Sequence, residues 1–504
     1  MNRRRILTAC AAAAAPAATA ILLLFGAPTA ARSQGGGVVH VDLGNISVSD
    51  VVGLNPSLYY RPFDDLGVRP SAAAMALGGA FLARASGPAA IGWSPASLAE
   101  MEDGELFVDG SLHSGSSQTS GYPAELTIPG AGSIFTTGYR VDPKSGARPS
   151  AAAGALPIWR SGEMRLVGGL SWRRQYDVSY PEEIVNDFVF GGVTSFPVVL
   201  TRDRKERGGV EAIGPTLAFR VSPQFAVGAN LNALTGRWRA TSAFDIDVGA
   251  PVPPGGERLT YVYDGLSFDL GARFALGNKI AVAARFSPAH TLEVSGGAYH
   301  SESVAAPGQP QFIVDAKVVG YEMEIPSAFA VGGMIRPLPR LAVSADLTSR
   351  NWSETKLSYT GAGPDSPFSL PLDLPLVDVA SLHVGVEYVV WQPSWGEVPI
   401  RVGFRSSPLS FSDMDSTDVS VNDGDPVFGG DEIDTSAISA GFGVTTGNVT
   451  FDFGAERTSY EIQKIYFDSP GGILASGGND FLTVDRSITS MRFSATYRFG
   501  AGTP

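Results

Sequence analysis

Residue types that commonly do chemistry in proteins are few and widely spaced in this sequence. A metal site needs His, Cys, Asp or Glu ligands at short spacings, and no nucleophile elbow or phosphate-binding loop occurs. The five histidines are scattered along the chain: His40, His113, His290, His300 and His383. The sequence therefore predicts no metal, no cofactor and no enzyme activity. A Ser–His pair assembled from distant strands stays open as an alternative.

An acidic cluster follows residue 412 and lacks the spacing of an EF-hand. A solvated loop is the favoured interpretation, and divalent-cation bridging to anionic lipopolysaccharide is the alternative. The cluster consists of Asp413, Asp415, Asp418, Asp423, Asp425, Asp431, Glu432 and Asp434.

Arginines recur on strand-like segments, at positions that alternate with apolar residues. These are Arg220, Arg273, Arg285, Arg401, Arg405, Arg492 and Arg498. One interpretation pairs them with acids on the same faces: Asp269, Asp346, Glu387, Asp452 and Glu456. The other makes Arg273, Arg285 and Arg405 contacts for a ligand carboxylate, through charge-assisted hydrogen bonds.

Composition limits the class of protein. The 504 residues include 60 Gly, 35 Pro and one Cys, with 17% charged residues and a net charge of −13. This length predicts two to four domains or one large barrel. The acidic balance excludes a general nucleic-acid binder, which needs a basic surface. A single Cys excludes a disulfide framework.

The first 31 residues have the pattern of a secretory signal peptide. Arg3, Arg4 and Arg5 precede an apolar run from Ile6 to Gly26, and small residues at 29–31 offer a cleavage site. Cleavage there would remove the only cysteine, which suits export through an oxidising compartment. A lipoprotein and an uncleaved anchor helix are the alternatives.

The elements that must position the arginines are strands with two unlike faces. Apolar residues at 266, 268, 270, 272 and 274 alternate with Ser267, Asp269, Gly271 and Arg273, and this period of two is typical of a strand. Similar alternation covers 280–286 and 491–499. We expect the apolar faces to meet lipid and the arginines to face a lumen, because an arginine at the bilayer midplane costs about 2–4 kcal/mol.

Connections between these strands alternate between tight turns and long polar stretches, the pattern of an outer-membrane barrel with periplasmic turns and extracellular loops. Backbone groups at an open edge would be unpaired in lipid, so the barrel must close. The sequence predicts an all-β fold: a transmembrane antiparallel barrel of about 14 strands. The strands lie near residues 105–113, 150–159, 163–180, 206–222, 225–245, 258–276, 279–297, 318–337, 339–359, 379–391, 397–412, 433–446, 448–463 and 487–499.

Residues 70–103 have a different composition, rich in Ala and Gly with isolated aromatic residues. The run from Pro70 to Ala83 has helical potential that ends at the glycines, and glycine permits close backbone approach. We expect a compact plug inside the barrel, with an extension outside it as the alternative. The predicted organisation is a signal peptide (1–31), an N-terminal extension (32–69), a hatch or plug (70–103), the barrel (104–499) and a tail (500–504).

Three stretches resemble the FadL/TodX-type outer-membrane transporters of long-chain fatty acids and other hydrophobic compounds. They are MALGGAF…GPAAIGWSPASLAEM, IPSAFAVGGMIRPLPRLAVSADLTSRNWS (Ile325 to Ser353) and LHVGVEYVV…VPIRVGFRSSP. By this resemblance the hatch residues are Gly78, Gly79, Ala80, Phe81, Ser94, Pro95 and Ala96. Ser94 stands where the family usually has Asn.

The resemblance implies passive uptake of hydrophobic small molecules across the outer membrane of a Gram-negative-type, diderm bacterium. It implies rearrangement of the hatch and a lateral exit through the wall. The expected partners are these small molecules, outer-membrane lipid and lipopolysaccharide, and the barrel-assembly machinery, with no nucleic acid. A secretion-associated PorV-type barrel that binds exported proteins is the second interpretation, and a hydrophilic porin is the third.

Overall fold

A computed structural model provides the structure of the protein. It describes residues 31–34, 38–46, 70–121, 125–128, 132–143, 145–177, 181–191, 196–247, 255–302, 311–318, 320–359, 376–412, 420–422, 425–427, 432–465 and 481–500. Most of the predicted signal peptide, of the tail and of the acidic cluster lies outside these residues. Among them, no helix has both the length and the apolar character needed to cross a membrane.

Strands dominate the described residues. The first thirteen strands are β1 Ala31–Gln34, β2 Val38–Ile46, β3 Gly104–Gly121, β4 Glu125–Ile128, β5 Gly132–Pro143, β6 Gly146–Ser161, β7 Met164–Asp177, β8 Pro181–Gly191, β9 Phe196–Arg220, β10 Phe225–Asp247, β11 Gly255–Leu276, β12 Ile280–Ser287 and β13 His290–Glu302. The others are β14 Gln311–Val318, β15 Tyr321–Ile325, β16 Ala328–Leu338, β17 Leu341–Arg350, β18 Lys356–Tyr359, β19 Val379–Trp391, β20 Gly396–Ser412, β21 Ser420–Asn422, β22 Asp425–Val427, β23 Glu432–Thr446, β24 Val449–Ile465 and β25 Phe481–Phe499.

Four short helices complete the described elements. They are the α-helix α1 Ala72–Ala76 and the 3₁₀ helices Pro88–Gly92, Pro95–Glu100 and Trp352–Glu354.

The strands close into a barrel of 14 antiparallel strands, which confirms the predicted fold class and strand number. Closure is made by β25 and β3, which pair from Phe499↔Gly104 to Leu482↔Gly121. Three of the 14 barrel strands are interrupted and consist of consecutive segments. The first is β12 followed by β13, the second is β14 followed by β15 and β16, and the third is β17 followed by β18. A closed ring leaves no edge on which backbone groups would be unpaired.

Near the short turns, the outer face of the barrel is apolar and the inner face is polar. On β11, Leu266 and Phe274 are 66% and 46% exposed, whereas Ser267 and Asp269 are buried. Successive side chains of a strand point to opposite faces. The apolar and polar alternation in the sequence therefore separates the surface that suits lipid from the surface that lines the lumen.

Towards the long connections, this polarity is reversed. On the same strand, Leu259, Tyr261 and Tyr263 are buried inside the barrel, while Arg258 and Asp264 are exposed outside it. The change occurs at Gly265, which pairs with Leu234 on β10. The barrel thus has an apolar outer belt near its short turns and an apolar interior beyond that belt.

Candidate ligand-binding lumen

Residues 70–103, termed the lumenal segment, lie inside the ring of strands. Helix α1 contacts β23, β24 and β25, while the 3₁₀ helix Pro95–Glu100 contacts β9, β10 and β11 on another part of the wall. Ala72, Ala74, Ala90 and Leu98 are fully buried. Small side chains let this segment approach the wall closely.

Local sequence explains why its α-helix is short. The Ser71 hydroxyl caps α1 by accepting from the Ala74 amide at 3.3 Å. The helix ends before Gly78 and Gly79, whose φ values of 64° and 84° suit glycine. The helix thus ends before the glycines, as expected from the sequence, because these residues leave the helical conformation.

Two inward-facing wall glycines allow backbone of the lumenal segment to lie directly against the strands. A Cβ added at Gly403 would lie 2.1 Å from the Gly78 nitrogen, and one added at Gly228 would lie 2.5 Å from the Pro95 carbonyl carbon. Real Cβ atoms do not approach so closely, so both positions require glycine while the segment stays in place.

Charged groups hold one end of the lumenal segment to β17 and β19. The Asp346 carboxylate accepts from the backbone amides of Phe81 and Leu82, both at 2.7 Å. Arg84 pairs with Glu387 at 2.9 Å. Hydrogen bonds to a charged group are stronger than neutral ones, so these contacts fix the position of the turn after α1.

The other end is held by arginines of β7, β11 and β12. Arg165 donates to the Met101 carbonyl at 2.6 Å, and Arg273 pairs with Glu100 at 3.0 Å. Arg285 donates to the Gly92 carbonyl at 3.0 Å. Both ends of the segment are thus held by buried or half-buried polar contacts with the wall.

Replacing Asp346 tests the contact at the first end. We expect Asp346→Ala to leave the Phe81 and Leu82 amides without their acceptor and to weaken local protection by about 1.5–3 kcal/mol per bond. Hydrogen exchange of these two amides in detergent micelles measures the effect. Ser344→Ala, on the same face of β17, is the matched control, and unchanged exchange in Asp346→Ala would contradict the assignment.

The seven residues predicted for the hatch all lie in the lumenal segment. Phe81 packs edge-to-face on Trp93 with ring centroids 5.6 Å apart. Ser94 is fully buried, precedes Pro95 at the start of the 3₁₀ helix Pro95–Glu100 and makes no side-chain cap. Ser94 therefore makes no capping bond that could replace the side-chain contacts of an Asn at this position.

Most of the predicted strand arginines pair with acids of the wall or the lumenal segment. Arg405 pairs with Glu456 at 2.6 Å and Arg492 with Asp109 at 3.5 Å, and Arg401 bridges Glu387 and Asp452 at 2.7 Å each. Arg498 lies near the short-turn rim, 56% exposed, and pairs with Glu105. Among the three predicted ligand contacts, Arg285 also lines a cavity in the lumen.

That cavity is polar and rich in arginine. Arg173, Arg174, Arg285 and Arg350 line it together with His290 and Asp269. Asp269 accepts from Arg173 at 3.3 Å and from the Ser287 hydroxyl. The arginines outnumber this carboxylate, so the cavity favours an anionic group.

A packed apolar cluster lies beside the cavity, in the part of the barrel beyond the outer belt. Trp238 and Tyr261 stack at 5.6 Å within it. Arg350 connects the two regions, because it lies 4.9 Å from the Trp352 ring centre and donates to the Tyr176 hydroxyl at 3.3 Å. Further members are Val210, Leu234, Leu259, Tyr263, Leu292, Val294, Tyr299, Val314, Met323 and Ile325.

Sequence reasoning missed this apolar interior, as well as Arg173 and Arg350. The signal that could have revealed it is a shift in the alternation. The apolar positions on β11 are odd-numbered at Leu259, Tyr261 and Tyr263 and even-numbered from Leu266 onwards.

Comparison with known proteins places the fold. No protein-family model and no curated protein sequence matches the chain. A FadL homologue from Pseudomonas aeruginosa is similar in structure, with a TM-score of 0.54, 14% identity and coverage of 88% of this chain and 99% of that one. The toluene transporter TodX from P. putida has a TM-score of 0.50 and 12% identity, with coverage of 86% and 99%. The chain therefore has the fold of the FadL- and TodX-type barrels.

Proposed function

We propose that this protein is an outer-membrane passive transporter for hydrophobic small molecules. The observation that carries the proposal is the apolar cluster inside the closed barrel, beside an arginine-lined cavity that the lumenal segment also lines. Lipopolysaccharide hinders apolar solutes, so a protein that offers them an apolar site provides an easier route. The similarity in fold to a FadL homologue and to a toluene transporter supports this proposal.

Within this class, we propose ligands that join an apolar chain to a carboxylate, as long-chain fatty acids do. The apolar cluster would take the chain, and Arg285 with Arg350 would take the carboxylate. Each of these arginines already has a partner: Arg285 donates to the Gly92 carbonyl and Arg350 to the Tyr176 hydroxyl. A bound carboxylate would therefore compete with these contacts. At Arg273 and Arg405 it would compete with Glu100 and Glu456, respectively. Aromatic hydrocarbons would use the apolar cluster alone.

Movement of the lumenal segment would open the path towards the periplasm, which lies at the short-turn end in the proposed orientation. A lateral exit is proposed where two neighbouring strands are interrupted together. Pro288 and Ala289 separate β12 from β13, and Pro326 and Ser327 separate β16 from β15. Proline donates no ladder hydrogen bond, so the wall has fewer hydrogen bonds to break at this level.

The proposed function is tested by uptake in cells. A deletion strain should take up labelled oleate, alkanes or monoaromatic compounds more slowly than the parent, and the gene in trans should restore the rate. Unchanged uptake of all three would overturn the proposal. Mass spectrometry of the protein in mild detergent should find an apolar ligand, whereas a co-purifying protein without such a ligand would favour the PorV-type interpretation.

A carboxylate contact predicts selectivity between ligands of equal length. We expect Arg350→Gln to weaken oleate binding by roughly 10- to 100-fold, since a hydrogen bond to a charged group contributes about 1.5–3 kcal/mol. Binding of oleyl alcohol should change little, because that ligand lacks the charge. Fluorescence displacement in detergent measures both affinities. Equal weakening for the two ligands would show that Arg350 contributes to packing of the site and not to binding of the carboxylate.

A further inference from the structure

The second strand of the chain takes part in the wall far from the lumenal segment that follows it. β2 runs parallel to β14, with Val38 opposite Gln311, His40 opposite Ile313 and Ile46 opposite Val318. On its other edge, β14 pairs with β13 between Gly297 and Glu302. This part of β13 belongs to the long-connection end of the barrel, which is extracellular in the proposed orientation.

Neighbouring strands explain why an additional strand fits there. β18 pairs with β15 only between Tyr321 and Glu324. Beyond that level, within the described residues, β14 pairs with β2 on the side away from β13. An uncovered edge would present a row of unpaired backbone groups. β2 therefore covers an edge that the described part of β18 does not reach.

β2 runs along the wall from the extracellular rim towards the short turns. Since β2 is parallel to β14, Val38 is its end nearer the rim and Ile46 is its end nearer the short turns.

We infer that β2 is a strap on the extracellular side of the wall, where it covers the edge of β14. Residues 31–34, which form β1 and pair with β2, are then displayed at the cell surface. The inference rests on the orientation given under the proposed function, but not on transport. Its test therefore reports topology whether or not a ligand is carried.

Cysteine labelling in intact cells tests the display of β1. In a Cys10→Ser background, which has no other cysteine, we expect Ser33→Cys to react with a membrane-impermeant maleimide without permeabilisation. Arg258→Cys, exposed on the outer face of β11 near the long connections, is the positive control. Asn278→Cys, in the turn between β11 and β12, should react only after the outer membrane is permeabilised.

Labelling of Ser33→Cys only under the conditions that label Asn278→Cys would overturn the inference. Folding of each variant is checked by the heat-dependent mobility shift of the barrel on gels, so that a misfolded protein is not counted as a result.

A disulfide tests the register of the strap. Paired residues on adjacent strands lie at a separation that a disulfide can bridge, so His40→Cys with Ile313→Cys should cross-link in oxidised cells. His40→Cys with Val314→Cys is the control, because Val314 points to the opposite face from Ile313. Failure of the first pair, or equal cross-linking of both pairs, would show that β2 does not lie on β14 in this register.

Discussion

Gly403→Val should raise the ion conductance of the barrel well above that of the parent, which we expect to be low because the lumenal segment fills part of the lumen. The new Cβ would lie 2.1 Å from the Gly78 nitrogen, so either the wall or the lumenal segment must shift. Overpacking of this kind costs about 1–3 kcal/mol, and such a cost changes the population of a displaced segment by roughly 5–150-fold. Conductance in planar bilayers measures the change, and sensitivity of cells to bulky hydrophilic antibiotics should rise with it.

Gly333→Val is the matched control for this prediction. A Cβ at Gly333 would meet only the Ala281 oxygen, at 4.0 Å, so the substitution adds the same volume on the outer face of β16, where space exists. Its conductance should equal that of the parent. If Gly403→Val also conducts as the parent does, the lumenal segment does not depend on close contact at this strand.

Arg401→Met should cause the largest loss of stability in the barrel wall. Arg401 is 7% exposed at its side chain and bridges Glu387 and Asp452, both at 2.7 Å. Without the Arg401 guanidinium, Asp452 loses this ion pair. Of its two ion pairs with Arg84 and Arg401, Glu387 keeps only the one with Arg84. Removal of one partner from a buried ion pair costs about 3–5 kcal/mol. Urea unfolding in detergent micelles measures the free energy of unfolding.

Arg498→Met provides the comparison, because Arg498 is 56% exposed and makes a single ion pair with Glu105 at 3.2 Å. Exposed pairs contribute about 0–1 kcal/mol. Equal losses of unfolding free energy in the two variants would mean that burial of the Arg401 network adds nothing to stability.

The wall of the barrel could be predicted from the sequence because its two faces meet different surroundings. A strand alternates its side chains with a period of two, so the lipid-facing set on β11, Leu266 to Phe274, is visible without any knowledge of neighbouring strands. Short turns on one side and long connections on the other then give the number of strands. Each of these signals is local, which is why they survive without a tertiary structure.

Only the tertiary structure shows which side chains form hydrogen bonds and ion pairs with each other inside the lumen. Asp346 and Phe81 are 265 positions apart, and Arg405 meets Glu456 across an intervening strand, β23. The sequence named the arginines and acids of the lumen but not which of them would meet. Strand register and barrel closure fix these distances, and both depend on every strand of the ring together.

The sequence by itself thus determined which side chains face outwards on the belt and that residues 70–103 differ from the wall. The tertiary structure alone decided that Arg350 connects a cationic cavity to an apolar interior, and that β2 lies on β14. The physical reason is the distance along the chain over which each feature is determined. Alternation follows from the geometry of a single strand, whereas a binding lumen is formed where distant strands converge, and no local pattern records that convergence.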